Sequence, residues 1–159
     1  MKVNNDIKKT NKESIFEMKD ATKILKRSSE NPLLHIKDFP GCAQIYNPAP
    51  IMHGDETILL ISVVEHGSTR GFGRDVGQTR LARSKDGINF TLSDKNFIDT
   101  QSDEYPYPLY HHFIDNRVTK IDDWYYIITP VMVSGYDSPV GMLGRTKDFE
   151  SYERIDIIT

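Results

Sequence analysis

The sequence predicts an all-β fold, and three observations predict it. After Asn31 the chain is a series of short runs rich in Ile, Val, Tyr and Phe, the composition of strands. Between the runs stand tight links such as HGDE, SKDG, IDDW and TKDF, whose Gly, Asp and Ser residues carry turn chemistry. No stretch beyond Asn31 keeps a helical period long enough for a helix.

Residues 1–30 form a polar, lysine-rich arm in which Ile15, Phe16, Met18, Ile24 and Leu25 are spaced for one or two amphipathic helical turns. Residues 31–159 hold the strands. In order, these are AQIYNPAPIM, TILLISVVE, TRLARSKD, INFTLS, FIDNRVTKI, WYYIITPVMV, VGMLGRTKD and YERIDII. Asp115 and Arg117 fall within the fifth run, where alternation would set both side chains on one face. Trp124 follows a turn and is expected to pack between sheets.

Two motifs recur in the same order. ARSKDGINF begins at Ala82 and GRTKDFESY at Gly144, 62 positions on; NPAPIMHGDETILLI begins at Asn47 and DNRVTKIDDWYYII at Asp115, 68 positions on. The glycine-rich EHGSTRGFGRDVGQ accounts for the difference as a longer loop in the first copy. Four strands per repeat at this period is the signature of a β-propeller blade. Asn47 and Asp115 then take matching places on successive first strands and face one channel mouth.

Composition narrows the function. A chain of 159 residues, 38% hydrophobic and 27% charged, fits one domain. A net charge of -3 argues against a general nucleic-acid binder. No run of about 18 apolar residues occurs, so no membrane span is expected. MKVNNDIKKTNKES lacks the apolar centre of a secretory signal, and the single cysteine, Cys42, has no internal disulfide partner. The expected location is the cytoplasm. No basic neighbour in sequence activates Cys42 as a nucleophile, so it reads as a small apolar filler.

RSSENPLL, YNPAPIMHGDETILL, ARSKDGINF, DNRVTKIDDWYYI and GRTKDFESYERI follow one another in an order that resembles glycoside hydrolase family 130, the β-mannoside phosphorylases and related β-mannosidases. The resemblance runs from about Asn31 to Thr159. It implies a five-bladed propeller, of which this chain supplies about two four-stranded blades after its arm, and cleavage of a glycosidic bond by single displacement with inversion. The family's catalytic acid, the Asp of a Glu-Asp-Pro-Arg motif, matches Asp115 in Ile114-Asp115-Asn116-Arg117. The acid and the arginine are retained; the flanking Glu and Pro are not. Asn47, in an Asn-Pro-Ala setting, matches the family's contact to sugar hydroxyls. A family arginine that serves anion binding has no match in LLISVVEH, where Ser62 and Val63 stand; Arg70, Arg74 and Arg80 are the cations that follow.

An inverting hydrolase uses two carboxylates, an acid and a base for water. An inverting phosphorylase needs the acid alone, with Arg, Lys or His to hold phosphate. The sequence leaves that choice open. Inorganic phosphate would be a co-substrate of the phosphorylase, and no other cofactor is expected. A carboxyl that donates a proton near neutral pH must be kept protonated by burial or a neighbouring negative charge, so Arg117 is expected to turn toward substrate or another carboxylate rather than pair squarely with Asp115. His111 and His112 lack the further ligands of a metal site, and no metal is expected; His112 is assigned to the cleft as a hydrogen-bond donor. Tyr105, Tyr107 and Tyr110 read either as rings that stack on sugar faces or as loop packing, and Tyr110 joins the candidate site. Tyr136 and Asp137 lie on the next loop toward the same mouth. The expected partners are a β-mannoside or other oligosaccharide and, because two blades close no ring, a homo-oligomer or a complementing C-terminal fragment. The isolated chain is expected to show little or no turnover. Two rivals stand beside this reading. One is a non-catalytic carbohydrate-binding remnant. The other is an arabinan- or fructan-cleaving propeller, against which Asn47 argues by standing where those enzymes place an acid.

Overall fold

The computed structural model describes residues 26–66, 77–98, 109–111, 113–133 and 136–158. The chain divides into two compact units, Met1–Asn31 and Pro32–Thr159. In the first, Ser28 closes a turn: its carbonyl accepts from the Asn31 amide and its hydroxyl from the Glu30 amide. The helical turns expected at residues 15–25 lie outside the described residues.

Among its described residues the second unit is all-β apart from one 3-10 turn, Ile36–Asp38. Its strands are β1 (Cys42–His53), β2 (Glu56–Glu65), β3 (Gly77–Ser84), β4 (Thr91–Asn96), β5 (Leu109–His111), β6 (Arg117–Ile121), β7 (Trp124–Val133), β8 (Val140–Thr146) and β9 (Glu153–Ile158). They form two antiparallel sheets, one in the order β1-β2-β3-β4, the other in the order β5-β7-β8-β9 with β6 also paired to β7.

The sequence repeat is carried into the register. His53 pairs with Glu56 and Ala49 with Leu60 in the first sheet; Ile121 pairs with Trp124 and Arg117 with Ile128 in the second, each 68 positions on. Leu59 pairs with Ala82, and Ile127 with Gly144. The backbone repeats as closely. Positive φ recurs at Asn47 and Asp115 (47° and 60°), at Gly54 and Asp122 (61° and 53°), and at Gly87 and Phe149 (71° and 58°).

The hydroxyl-Lys-Asp turns explain the last pair. Ser84 Oγ accepts from the Gly87 amide at 2.9 Å, while Asp86 Oδ1 accepts from Ile88 and Asn89 at 2.9 and 2.7 Å. Thr146 Oγ1 and Asp148 Oδ1 do the same for Phe149, Glu150 and Ser151 at 3.0, 2.8 and 3.0 Å. These backbone donors hold both carboxyls below the ordinary carboxylate value of 3.8, that of Asp148 at about 2. The first turn also moves a strand start: β4 begins at Thr91 rather than Ile88, because the amides of Ile88 and Asn89 are spent on Asp86.

A larger correction falls on FIDNRVTKI. Only Arg117–Ile121 is strand. Where β1 is one strand along β2 with its register shifted at Asn47 and Pro48, its counterpart is split into β5 and β6 with residues 113–116 between them. The amides of this segment go to the other sheet: Phe113 donates to the Gly77 carbonyl at 3.1 Å and Asp115 to Ser62 Oγ at 3.0 Å. Asp115 therefore sits in a bend ahead of the strand, and the two-residue alternation expected to set it beside Arg117 does not apply.

The sheets pack through Ala49, Ile58, Leu60 and Leu81 of the first against Tyr125, Ile127 and Phe149 of the second. Tyr125 adds a polar stitch, donating from its hydroxyl to the Met52 carbonyl at 3.2 Å with His53 Nδ1 3.1 Å away. A further cluster of Phe39, Cys42, Ile61, Val63 and Ala82 fills the other face of the first sheet, with Leu34 against it. Cys42 is buried there as filler, and burial pushes its thiol up. Trp124 lies on the face of the second sheet opposite to Tyr125 and Ile127. Its ring carries the Arg145 guanidinium at 4.0 Å and the Lys147 ammonium at 4.6 Å, both from the β8 end of its own sheet.

Candidate functional site

Asn47 and Pro48 interrupt β1. Tyr46 pairs with Ser62 and Ala49 with Leu60, so two residues stand against Ile61 alone, the signature of a bulge. Pro48 has no amide to offer the ladder, and Asn47 adopts φ 47°, a left-handed conformation that Asn and Asp tolerate better than most residues. The bulge aims Asn47 at the second sheet. Its Nδ2 donates to Asp115 Oδ1, across 68 positions of chain.

Asp115 is held from four directions. Its amide donates to the fully buried hydroxyl of Ser62. Its carboxylate accepts from Asn47. Arg117 Nη1 donates to the carbonyls of Asp115 and Asn116 at 3.1 and 2.9 Å. The fourth anchor is Asn116, whose side chain is fully buried. Its Nδ2 donates to Thr79 Oγ1 of β3 at 2.8 Å, and its Oδ1 accepts from Thr129 Oγ1 of β7 at 2.7 Å. Thr79 in turn donates to the Phe113 carbonyl at 2.6 Å. One side chain thus ties a strand of each sheet to both sides of the Asp115 bend. A buried carboxamide with its oxygen and nitrogen both used costs little and specifies one geometry.

Arg117 does not pair with the Asp115 carboxylate: among the described bonds it donates to main-chain carbonyls and to no other carboxylate. Asn47, Asp115 and Arg117 all line an open cleft of about 520 Å³ formed by residues 47–50 and 115–118. Among the described residues Asp115 is its one acid. Tyr46, half-buried, lies close by; burial, then the charge of Asp115, pushes its phenol up, so it remains a hydroxyl donor at neutral pH. Nothing in the sequence singled out Tyr46 or Asn116, whose partners stand 13 and 37 positions away. Ser62, read in the sequence as a missing arginine, proves to be the residue that seats Asp115.

The other candidates stand apart or out of view. Tyr136 and Asp137 are exposed and line no part of the cleft. Tyr110 belongs to β5, and nothing is described of its side chain. His112, Tyr105, Tyr107, Arg70 and Arg74 lie outside the described residues. Arg80 pairs with Glu65 at 2.5 Å. Among the described residues no group of three His, Cys, Asp or Glu side chains is placed to hold a metal.

Taken together, the cleft presents one carboxyl beside a carboxamide on a backbone fixed by buried hydrogen bonds. Such an arrangement can hydrogen-bond a polyol and exchange a proton with it.

No protein-family model matches the chain. It is 42% identical over 77 residues to the β-1,2-mannobiose phosphorylase of Listeria innocua, a match to 46% of this chain and 19% of that protein. The solved structure of β-1,2-mannobiose phosphorylase from Listeria innocua, in complex with β-1,2-mannobiose, shares its fold at a TM-score of 0.59 with 23% identity, over 80% of this chain and 49% of that one. A glycoside hydrolase family 130 structure, described with hydrolases that target β-1,2-mannosidic linkages in Candida mannan, matches at 0.54 with 19% identity, over 71% of this chain and 31% of that one. A family 32 β-fructofuranosidase of Bombyx mori matches at 0.55 with 23% identity, over 70% and 22%. The chain spans about half the length of the mannobiose phosphorylase structure it matches.

Proposed function

From the chain's resemblance to glycoside hydrolase family 130, we propose that it carries part of a β-mannoside-cleaving site, with Asp115 as the general acid and Asn47 as a ligand of sugar hydroxyls. The observation that carries this reading is the hydrogen bond from Asn47 to Asp115 at the cleft. It joins the two positions that the family resemblance singles out, from two sheets, at one opening. In this reading the two sheets are successive blades of a five-bladed propeller. The curated relative is named for phosphorolysis of β-1,2-mannobiose, and a β-linked mannoside is the proposed substrate class.

Phosphorolysis is preferred over hydrolysis because the relative is named for it. An inverting hydrolase would need a second carboxylate to activate water. Phosphate brings its own negative charge and asks only for donors to hold it. In the proposed step Asp115 gives its proton to the leaving glycosidic oxygen as phosphate oxygen bonds to the anomeric carbon from the opposite face. The C–O bond to the leaving sugar breaks, and the product is an inverted sugar phosphate. Arg117 and Asn116 keep the acid in register by holding the backbone on either side of it.

Titration of the chain with β-1,2-mannobiose, followed through the side-chain amide resonances of Asn47, tests the site. Saturable shifts are expected. Turnover is read on the chain completed by the remaining half of a family 130 enzyme, with and without phosphate. Asp115→Asn should abolish turnover there and leave binding in place. Binding without any turnover in the completed chain would make the site a carbohydrate-binding remnant.

A further inference from the structure

β1 is an edge strand. In the order β1-β2-β3-β4 its backbone pairs with β2 alone among the described residues. Two clefts follow it end to end. The first is the opening at residues 47–50 and 115–118. The second, of about 500 Å³, is lined by Ile36 and by four consecutive residues, Ala43, Gln44, Ile45 and Tyr46. Successive strand side chains point to opposite faces, so a cleft that touches four in a row lies along the edge of the strand. The two floors meet at the Tyr46–Asn47 peptide.

Among the described residues no charged side chain lines the second cleft. Ile36, Ala43 and Ile45 supply an apolar wall, Gln44 a carboxamide that both donates and accepts, and Tyr46 a ring with a hydroxyl at its tip. An anion has no cation to answer it there. A neutral sugar has an apolar surface for the C–H face of its ring and two polar groups for its hydroxyls. Ile36 and Gln44 are exposed and Tyr46 is half-buried, which leaves surface for a ligand to cover. Tyr46 also links this cleft to Asp115. It pairs with Ser62, whose hydroxyl accepts from the Asp115 amide, and opposed residues of a strand pair project to one face. The phenol therefore leaves the sheet on the side where Asp115 is seated, and it senses that carboxylate: burial first, and then the charge of Asp115, push it up.

We propose that the second cleft is a sugar subsite, which holds the ring joined to the one at Asn47 and Asp115, with Gln44 and the Tyr46 hydroxyl as its hydrogen-bonding groups and Ile36 as its apolar wall. Resting on the reading of the first cleft as a β-mannoside site, this adds where the neighbouring ring lies and which residues select it. At about 3.3 Å per residue the stretch from Gln44 to Asn47 covers about 10 Å, the reach of a disaccharide. Tyr46 stands where the two rings join. The ring in the second cleft is a neutral one: a uronate or a sugar phosphate would set its charge against Ile36 and Ile45.

The test titrates the full chain with methyl β-mannoside and, separately, with β-1,2-mannobiose, and reads the side-chain amide resonances of Asn47 and Gln44. The single ring is expected to shift Asn47 alone, and the disaccharide both. Gln44 is exposed, so Gln44→Ala removes no core contact. It should weaken β-1,2-mannobiose about two- to tenfold more than methyl β-mannoside, the loss of one hydrogen bond to a neutral hydroxyl, and Tyr46→Phe should repeat that difference. Shifts at Asn47 with none at Gln44 overturn the subsite and leave the first cleft as read. No shift at either amide removes the β-mannoside reading and the subsite with it. A Gln44→Ala variant that binds the disaccharide as the parent does, or that loses both ligands equally, overturns the subsite too.

Discussion

Asn47 and Asp115 occupy the same place in successive sheets, both with left-handed backbone, and the carboxamide of the first donates to the carboxylate of the second. Each departs from strand geometry at the point where the opposing strand needs no partner from it. The bulge at Asn47 leaves Ile61 facing two residues, and the bend at Asp115 sends its amide to Ser62. Irregularity in the two first strands is what brings the pair together.

The first expected outcome concerns that pair. A hydrogen bond to a neutral hydroxyl contributes about 0.5–1.5 kcal/mol, so Asn47→Ala should weaken binding of β-1,2-mannobiose by about two- to tenfold. Calorimetric titration measures it. Equal affinity in the variant would remove Asn47 from the site.

Asn116 offers a sharper test, since its role is invisible in sequence. Asn116→Ala leaves Thr79 and Thr129 without their buried partner, and an unsatisfied buried polar group costs about 1–3 kcal/mol. The melting temperature should fall by about 2–4 °C per kcal/mol for a chain of this size. Side-chain resonances of Asn47 should also move, because the Asp115 bend loses its tie to both sheets. A drop in stability with Asn47 unmoved would leave Asn116 as core alone.

What the sequence disclosed and what it hid divide along range. Strands β2, β3, β7 and β8 follow from apolar runs bounded by turn residues, because both signals are local. The two hydroxyl-Lys-Asp turns were legible for the same reason, and their spacing exposed the repeat. Residues 113–116 read as strand because their composition is strand-like; the amides of Phe113 and Asp115 were captured by Gly77 and Ser62, 36 and 53 positions back, which no local pattern encodes. The same holds for Arg117, expected to turn toward substrate or another carboxylate; the bend brings the carbonyls of Asp115 and Asn116 to it. The candidate pair Asn47 and Asp115 was found through the repeat and the family resemblance together.

The turns predict an acid-side response. Asp148 is held at about 2 against an ordinary 3.8, first by the amide of Ser151 and then by that of Glu150. A depressed folded-state value means the unfolded chain binds the proton first. The stabilisation is therefore complete above about 3.8 and is lost as pH falls through about 2. Asp86 is lowered likewise by Asn89 and Ile88, and contributes in the same window. The double variant Asp86→Asn with Asp148→Asn should show a flatter decline of unfolding free energy between those limits, followed by urea titration at a series of pH values. A slope equal to the wild type's would assign acid sensitivity to other groups.

The final prediction reverses an ordinary ranking. Phe149 is 1% exposed, packs on Tyr125 at 4.7 Å between ring centroids, and holds φ 58°. Its counterpart at the same turn is Gly87. Truncating a buried Phe costs about 3–5 kcal/mol, so both Phe149→Ala and Phe149→Gly should destabilise strongly. In a helix or strand the glycine variant would be the worse by about 0.5–1 kcal/mol. Here an alanine retains the left-handed penalty of about 1–2 kcal/mol that glycine escapes. Phe149→Gly should therefore match or exceed Phe149→Ala in urea denaturation, despite the lost Cβ. Finding alanine clearly more stable would mean that the turn relaxes out of the left-handed region once the ring is gone, and that the ring, packed into the inter-sheet core, is what imposes it.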